Sequence, residues 1–266
     1  MKGASSLIAL AVSAAAASVG AQEPAAKIKD NSFLIEEAYN QEAGVVQHIS
    51  TFSRATAGGG WNFSFTQEWP VTGMRHQFSY SVPVTNDASG TGVGDLALNY
   101  RFQLAGLTGG RFAAAPRLSL ITSTGDEAKG RGAGSFGLQS NLPLSYEFGD
   151  RVAGHGNAGL TYTPKARDAV GNTGSTASYA VGGSLIWLVS PTVNLMLESV
   201  WSSNEVVAGA STSRSTSYVV APGFRTAFNL AGGMQIVPGL AYVMNPAGSG
   251  DDSIFLYFSI EHPFKR

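Results

Sequence analysis

The chain has 266 residues with 17 basic and 18 acidic side chains, a formal net charge of −1 that excludes a strongly basic nucleic-acid binder. It contains no cysteine, which excludes a small disulfide scaffold. Charged residues make up only 13%, against about a quarter in soluble domains, and glycine is abundant at 33 residues.

The N-terminus comes first. Lys2 is the only charge before Glu23. Residues 7–12 form an apolar run, an alanine-rich stretch follows, and Val19-Gly20-Ala21 offers a cleavage site. This reads as a secretory signal peptide over residues 1–21, cut after Ala21. The run is short for a bilayer anchor. Removing it leaves 16 basic against 18 acidic residues, a mature charge of −2. No later stretch has the roughly 20 consecutive apolar residues that a membrane helix needs. The mature chain is therefore soluble or crosses a membrane as strands. Residues 22–44 form a separate N-terminal segment. Residues 31–43 lack clean alternation and read as a short helix or compact coil, capped by Asn31 or Ser32 and ended by Gly44.

From residue 45 the pattern changes to a period of two, the signature of strands with two different faces. Twelve such stretches follow, at 45–54, 60–71, 74–84, 94–104, 110–123, 135–148, 151–163, 177–189, 193–204, 215–229, 234–245 and 253–264. The fourth is the cleanest. Leu96, Leu98, Tyr100, Phe102 and Leu104 alternate with Asp95, Ala97, Asn99, Arg101 and Gln103. In the second, Trp61, Phe63, Phe65 and Trp69 oppose Asn62, Ser64, Thr66 and Glu68. The fifth sets Phe112, Ala114, Leu118 and Leu120 against Arg111, Arg117 and Ser119. The first strand has no clear parity.

The connections alternate too. Those at 72–73, 149–150 and 190–192 read as tight turns; those at 85–92, 124–134, 164–176 and 205–214 read as longer loops. Gly130-Arg131-Gly132-Ala133-Gly134 reads as a mobile loop tip. Aromatic residues gather at strand ends, with Trp69, Phe102, Phe112, Phe148, Trp187 and Phe228 toward the short turns. Short turns on one side, longer loops on the other and two aromatic girdles fit a transmembrane barrel in a Gram-negative outer membrane. The expected fold is an all-β, 12-stranded antiparallel transmembrane β-barrel over residues 45–266, preceded by a short N-terminal helical or coil segment.

Several motifs carry a resemblance. They are Phe33-Leu34-Ile35-Glu36-Glu37-Ala38-Tyr39-Asn40-Gln41-Glu42, Gly44-Val45-Val46-Gln47-His48, Gln67-Glu68-Trp69-Pro70, Arg75-His76-Gln77, and Gly92-Val93-Gly94-Asp95 with Asn99-Tyr100-Arg101-Phe102. With these the chain resembles the bacterial family labelled "putative meta-pathway of phenol degradation", or simply "transporter". The resemblance covers most of the mature chain and is strongest over residues 33–104. It implies an outer-membrane barrel suspected of passing small, aromatic or hydrophobic molecules. One departure is the end: such barrels commonly finish on an aromatic residue, whereas Phe264 is followed here by Lys265-Arg266.

A barrel of eight strands is filled by side chains and one of sixteen leaves a water channel, so twelve implies a narrow lumen. The inward parity nominates Glu68, Arg75, Gln77, Asp95, Arg101, Gln103, Arg111, Arg117, Glu147 and Arg225 as lining residues, with Arg151 and Glu198. A two-residue turn at Thr72-Gly73 would set Glu68 opposite Gln77. Arg75, Arg101 and Arg111 would then cluster with Glu68 at the periplasmic mouth. Two readings follow. Either Arg and Glu neutralise each other, as buried charges must, or the arginines hold the chain's own N-terminal segment. In the second reading residues 31–43 plug the barrel, with Glu36, Glu37, Tyr39, Asn40 and Glu42 as the contacting side chains.

The four histidines do not suggest catalysis. His76 and His262 should face lipid near the aromatic belt, and His155 reads as a spacer in a glycine-rich strand. Acidic residues show no metal spacing, and no cofactor is implied. The sequence points to passive passage of a small solute, with no nucleic-acid partner; membrane lipid and the outer-membrane assembly machinery are the expected partners. The alternatives are a structural or surface-exposed barrel and, in third place, a lipid-modifying enzyme.

Overall fold

A computed structural model describes residue 28 and residues 32–247 and 252–264. The expected signal peptide lies outside the described residues, as does most of the stretch before Ser32. The described chain forms fifteen strands and a single turn of 3-10 helix at Glu127–Lys129. In chain order they are β1 (Val45–Ala55), β2 (Trp61–Pro70), β3 (His76–Asp87), β4 (Gly90–Val93), β5 (Ala97–Phe102), β6 (Phe112–Ala114), β7 (Arg117–Ile121) and β8 (Gly137–Glu147). There follow β9 (Val152–Arg167), β10 (Thr173–Ser190), β11 (Val193–Ala208), β12 (Ser211–Thr226), β13 (Phe228–Asn229), β14 (Gln235–Val243) and β15 (Ser253–Pro263).

Twelve of these close into one antiparallel barrel, in the order β1-β2-β3-β5-β7-β8-β9-β10-β11-β12-β14-β15. Closure comes from β1 on β15, running from Val45↔Pro263 to Ala55↔Ser253. The three short strands extend the wall: β4 folds back on β3, β6 continues β7 beside β8, and β13 continues β12 beside β14.

The barrel is inside-out. Leu98, Leu118, Leu138, Val181, Leu195 and Leu256 are exposed on its outer face, while Gln47, Gln77, Asn194, Glu198 and Arg225 are fully buried within. Alternation puts each kind on its own side, and the outer face is the apolar belt that this fold presents to lipid. The undetermined parity of β1 resolves with Gln47 inward and His48 outward, stacked on His262 and Phe65.

Two features depart from the sequence reading. The stretches 164–176 and 205–214 are not long loops. Strands β9 to β12 are 16 to 18 residues long, so the chain continues as paired strands almost to turns at 168–172 and 209–210. The serines and threonines that suggested loops, among them Thr173, Ser175, Thr176, Ser211, Thr212 and Ser213, stand in these paired strands. Ala114, expected outward, is buried because it bridges Ala105 where β6 meets β7.

Below, the inner end is the one with the short turns and the start of β1 and end of β15; the outer end is opposite.

Candidate functional site: a filled inner lumen

Residues 32–41 lie inside the inner half of the barrel, and residues 42–43 lead out of it to β1. Their backbone is neither helix nor strand, although a helix was one of the two expectations. The reason is where the amide hydrogens go. A buried backbone N–H needs an acceptor, and here the wall supplies it from side chains. Phe33 and Leu34 donate to the two carboxylate oxygens of Glu198, at 3.0 and 2.5 Å. Glu36 donates to Asn157 Oδ1 at 2.7 Å, Ala38 to Ser145 Oγ at 2.8 Å, Asn40 to Gln103 Oε1 at 2.8 Å and Gln41 to Gln77 Oε1 at 2.7 Å. A chain whose donors are met this way need not coil on itself. Its carbonyls are held as well: Asn157 Nδ2 donates back to Glu36 O at 2.6 Å, and Gln103 Nε2 donates to Ala38 O at 2.6 Å.

The segment runs through the lumen as a loop. Ile28 O accepts from Asn194 Nδ2 (2.7 Å) and Arg225 Nη2 (3.2 Å) near the inner end of β11 and β12. Glu36, the apex, stands level with Asn157 and Asn141. The chain then descends, and Asn40 Nδ2 donates to the carbonyls of Met74 and Arg75 in an inner-end turn, at 3.0 and 3.1 Å. Two apolar anchors seat it. Phe33 packs on Phe255 and Tyr257, with ring centroids 5.7 and 5.6 Å apart, over Gly223 and Gly239. A Cβ at Gly239 would lie 2.5 Å from the Phe33 ring, and one at Gly182 would lie 2.5 Å from Ile35 Cδ1. Glycine in the wall makes the recesses that these two side chains fill.

At the apex lies a charge cluster. The Glu36 carboxylate accepts from Arg117 Nε (2.9 Å), Arg101 Nη1 (3.2 Å) and Asn141 Nδ2 (2.7 Å). Arg101 is almost fully buried; it also pairs with Glu37 at 3.7 Å and Glu68 at 3.8 Å, and donates to Asn40 Oδ1 at 2.9 Å and Tyr39 O at 2.5 Å. Burial pushes the Glu36 carboxyl up, but Arg117, then Arg101, and the Asn141 amide outweigh it and hold the group below its ordinary value of 4.5. The carboxylate is thus ionised and its hydrogen-bonding capacity is met, as a buried charge requires.

The nominated lining residues divide clearly. Arg101, Arg117, Gln77, Gln103 and Glu68 converge on the segment, and Arg225 and Glu198 hold its earlier part. Glu147 is half-buried at the inner rim beside Ala153. Arg75 and Arg111 do not join the cluster. Arg75 is exposed in a five-residue turn, with its guanidinium 5.8 Å above the Phe102 ring. Arg111 is exposed in the connection before β6, and Arg151 in the turn before β9. Parity does not extend into turns, and all three arginines stand there. The longer turn also shifts the hairpin register: Glu68 faces Ser79, not Gln77, and Gln77 reaches it diagonally, Nε2 to Oε2, at 2.7 Å. Among the plug candidates Glu42 stays outside, exposed, where its carbonyl accepts from Val45 N–H. Asp95 lies near the outer end and accepts from the Gly125 and Ala133 amides at 2.8 and 2.7 Å. With Arg131, buried against Ser89 and Gly90, it pins the loop that composition suggested was a mobile tip.

Asn141, Asn157, Ser145 and His155 were missed. His155 is no spacer: its Nδ1 lies 2.7 Å from Ser145 Oγ, and its ring meets the edge of Tyr39 at 6.2 Å. Inward parity was the available signal for all four. What parity could not show was that these side chains serve a peptide.

Above the segment the lumen is open. A cavity of about 370 Å³ is lined by Glu36, Arg101 and Arg117 below and by Ile49, Thr51, Thr66, Ser81, Ala97 and Ile121 around its sides. A second, of about 270 Å³, lies over Leu34 and Ile35 against Asn141, Asn157, Thr161 and Ser178.

A family model described as "Putative MetA-pathway of phenol degradation" matches residues 25–245. Among solved structures the chain is similar to an outer membrane channel from Pseudomonas putida F1, at 13% identity and a TM-score of 0.60, covering 85% of this chain and 98% of that one. It is also similar to the NanC porin, at 6% identity and a TM-score of 0.54, covering 82% and 100%. These are likenesses of fold, and the fold is that of outer-membrane barrels. A search of curated proteins returns no match.

Proposed function

We propose that this chain, which belongs to the family described as "Putative MetA-pathway of phenol degradation", is an outer-membrane diffusion channel for small solutes, closed at its periplasmic end by its own N-terminal segment. The observation that carries this reading is the match between six amides of residues 33–41 and five wall side chains: Gln77 on β3, Gln103 just beyond β5, Ser145 on β8, Asn157 on β9 and Glu198 on β11. A wall built only to be rigid has no need of acceptors aimed at a foreign backbone. The open outer half gives a solute somewhere to enter, and the latch at Glu36 gives the closed state its stability. Passage involves no chemical step. Ser145 and His155 are within hydrogen-bonding distance, but the serine oxygen is taken by the Ala38 amide, so we read the pair as a docking contact.

On this reading lipid meets the apolar belt, the assembly machinery inserts the barrel, and the solute is small and aromatic or hydrophobic. The test is planar-bilayer recording of the mature chain beside a form lacking residues 22–43. The channel reading expects little current from the first and steady current from the second. Equal currents would overturn the plug, and silence from both forms, each shown to be folded, would overturn the channel.

A further inference from the structure

The Glu36 carboxylate is bound as a ligand would be. Three donors from three different strands converge on it: Arg101 on β5, Arg117 on β7 and Asn141 on β8. Arg117 is itself held in place, with Nη1 donating to Asn99 Oδ1 at 3.0 Å and Nη2 to Gln139 Oε1 at 3.0 Å. Beside this polar floor the larger cavity has an apolar side made by Ile49, Ala97, Ile121 and Tyr257. Its volume of about 370 Å³ lies in the range of small-molecule sites, which are mostly apolar with a few placed polar groups.

Charge balance sharpens the point. With the segment in place, two arginines, Arg101 and Arg117, face three carboxylates, Glu36, Glu37 and Glu68. Were the segment to withdraw, Glu36 and Glu37 would leave with it, and the two arginines would face Glu68 alone. One buried cation would then lack a partner, which is costly. A single monovalent carboxylate restores the balance; a neutral solute does not.

We propose that Arg101, Arg117 and Asn141 form a carboxylate-binding site that Glu36 occupies in the closed state, and that small monocarboxylates with an apolar body are the solutes that take its place. This rests on reading the segment as a plug and names the solute class for the same site. Glu36 is then an internal competitor. The solute offers the same charge to the same donors, and its apolar body lies along Ile49 and Ile121, in space that the segment leaves empty.

The experiment uses the full mature chain and its Glu36→Gln variant, with benzoate as probe and benzyl alcohol as the neutral control. Binding is read from tryptophan fluorescence and calorimetry in detergent. The variant should bind benzoate about tenfold or more tighter than the parent chain, because the competing charge is gone, while benzyl alcohol should show no such gain. Adding Arg117→Gln to the variant should abolish the gain. In bilayers, benzoate should raise the current of the parent chain and benzyl alcohol should not. Equal affinity for benzoate in parent and variant, or equal gains for acid and alcohol, would overturn the carboxylate site. Should Glu36→Gln fail to fold, the parent chain decides: a current indifferent to benzoate would also overturn it. Failure of the channel reading looks different, since the form lacking residues 22–43 would then stay silent whatever binds.

Discussion

The two halves of one lumen treat the same kind of polar wall in opposite ways. In the outer half the inward residues are short: Thr51, Thr66, Ser81, Ala97, Thr161 and Ser178 leave space between them. In the inner half they are long: Gln77, Arg101, Gln103, Arg117 and Glu198 reach the backbone or side chains of the N-terminal segment, and Gln47 reaches Glu261 of the wall. Both satisfy alternation equally. The difference shows that parity decides which way a barrel residue points, while its length and functional group decide whether the lumen is left empty or filled. It also separates two kinds of buried polar group. A short hydroxyl is satisfied by a neighbouring strand, as with Thr66 and Ser81 at 2.8 Å. A long guanidinium or amide at this depth needs a partner from elsewhere, and the N-terminal segment is that partner.

The comparison can be broken most forcefully at its charges. Replacing Arg101 and Arg117 together with Glu places five acidic side chains at one site and should expel the segment, turning a nearly silent channel into a steadily conducting one in bilayer recordings. Unchanged current would mean the ion pairs do not latch. A milder disruption is Gly239→Ala. Its new Cβ would meet the Phe33 ring at 2.5 Å, with no backbone atom among its close contacts. It should raise the frequency of openings severalfold without altering the conductance of the open state. The corresponding changes in the outer half, Thr66→Val or Ser81→Ala, should leave gating alone and alter only the open-state current.

Acidification should act on the inner half and spare the outer. The folded-state pKa of Glu36 lies below its ordinary value of 4.5. The stabilisation it gives is therefore fully present above that value and is lost as pH falls through the depressed one. Current should stay low from neutral pH down to about 4.5 and rise below it; a rise centred near neutrality would show that another group controls release. The smallest effect is expected at the outer rim. Asp168 accepts from the Val170, Asn172 and Gly209 amides and from the Asn172 side chain, which together draw its pKa down to about 2. Asp168→Ala should loosen the 168–172 turn, as seen by faster proteolysis there, with no change in current.

Much of the barrel was legible in the sequence because a two-residue period is a direct consequence of strand geometry. Leu96 to Leu104 could hardly be read otherwise. Turns were less legible. Thr72-Gly73 looked like a two-residue loop, but the bend takes five residues, and with it Arg75 leaves the lumen for the inner rim. The site was half legible. Glu36 and Arg101 could be named from charge and parity, and Gln77, Gln103 and Arg117 from parity alone. Asn157 and Ser145 could not, because their role is to receive amides from a segment more than a hundred residues away. No local pattern encodes a partner so distant in sequence. The glycines at 182, 223 and 239 were equally silent, since each is defined by the side chain that fills the space above it.

The absence of cysteine from the whole chain makes one measurement especially clean. Ala38→Cys paired with Ser145→Cys joins the segment to the inner wall at a point where the native backbone and side chain are 2.8 Å apart. Ala38→Cys paired with Asn204→Cys offers the same chemistry to the outer half. In protein oxidised in its native outer membranes and mapped by proteolysis, the account predicts a near-complete disulfide for the first pair and none for the second. It further predicts that the cross-linked barrel stays silent even after the Gly239→Ala change. A first pair that fails to form, or a cross-linked barrel that conducts freely, would contradict the claim that this segment closes the inner lumen.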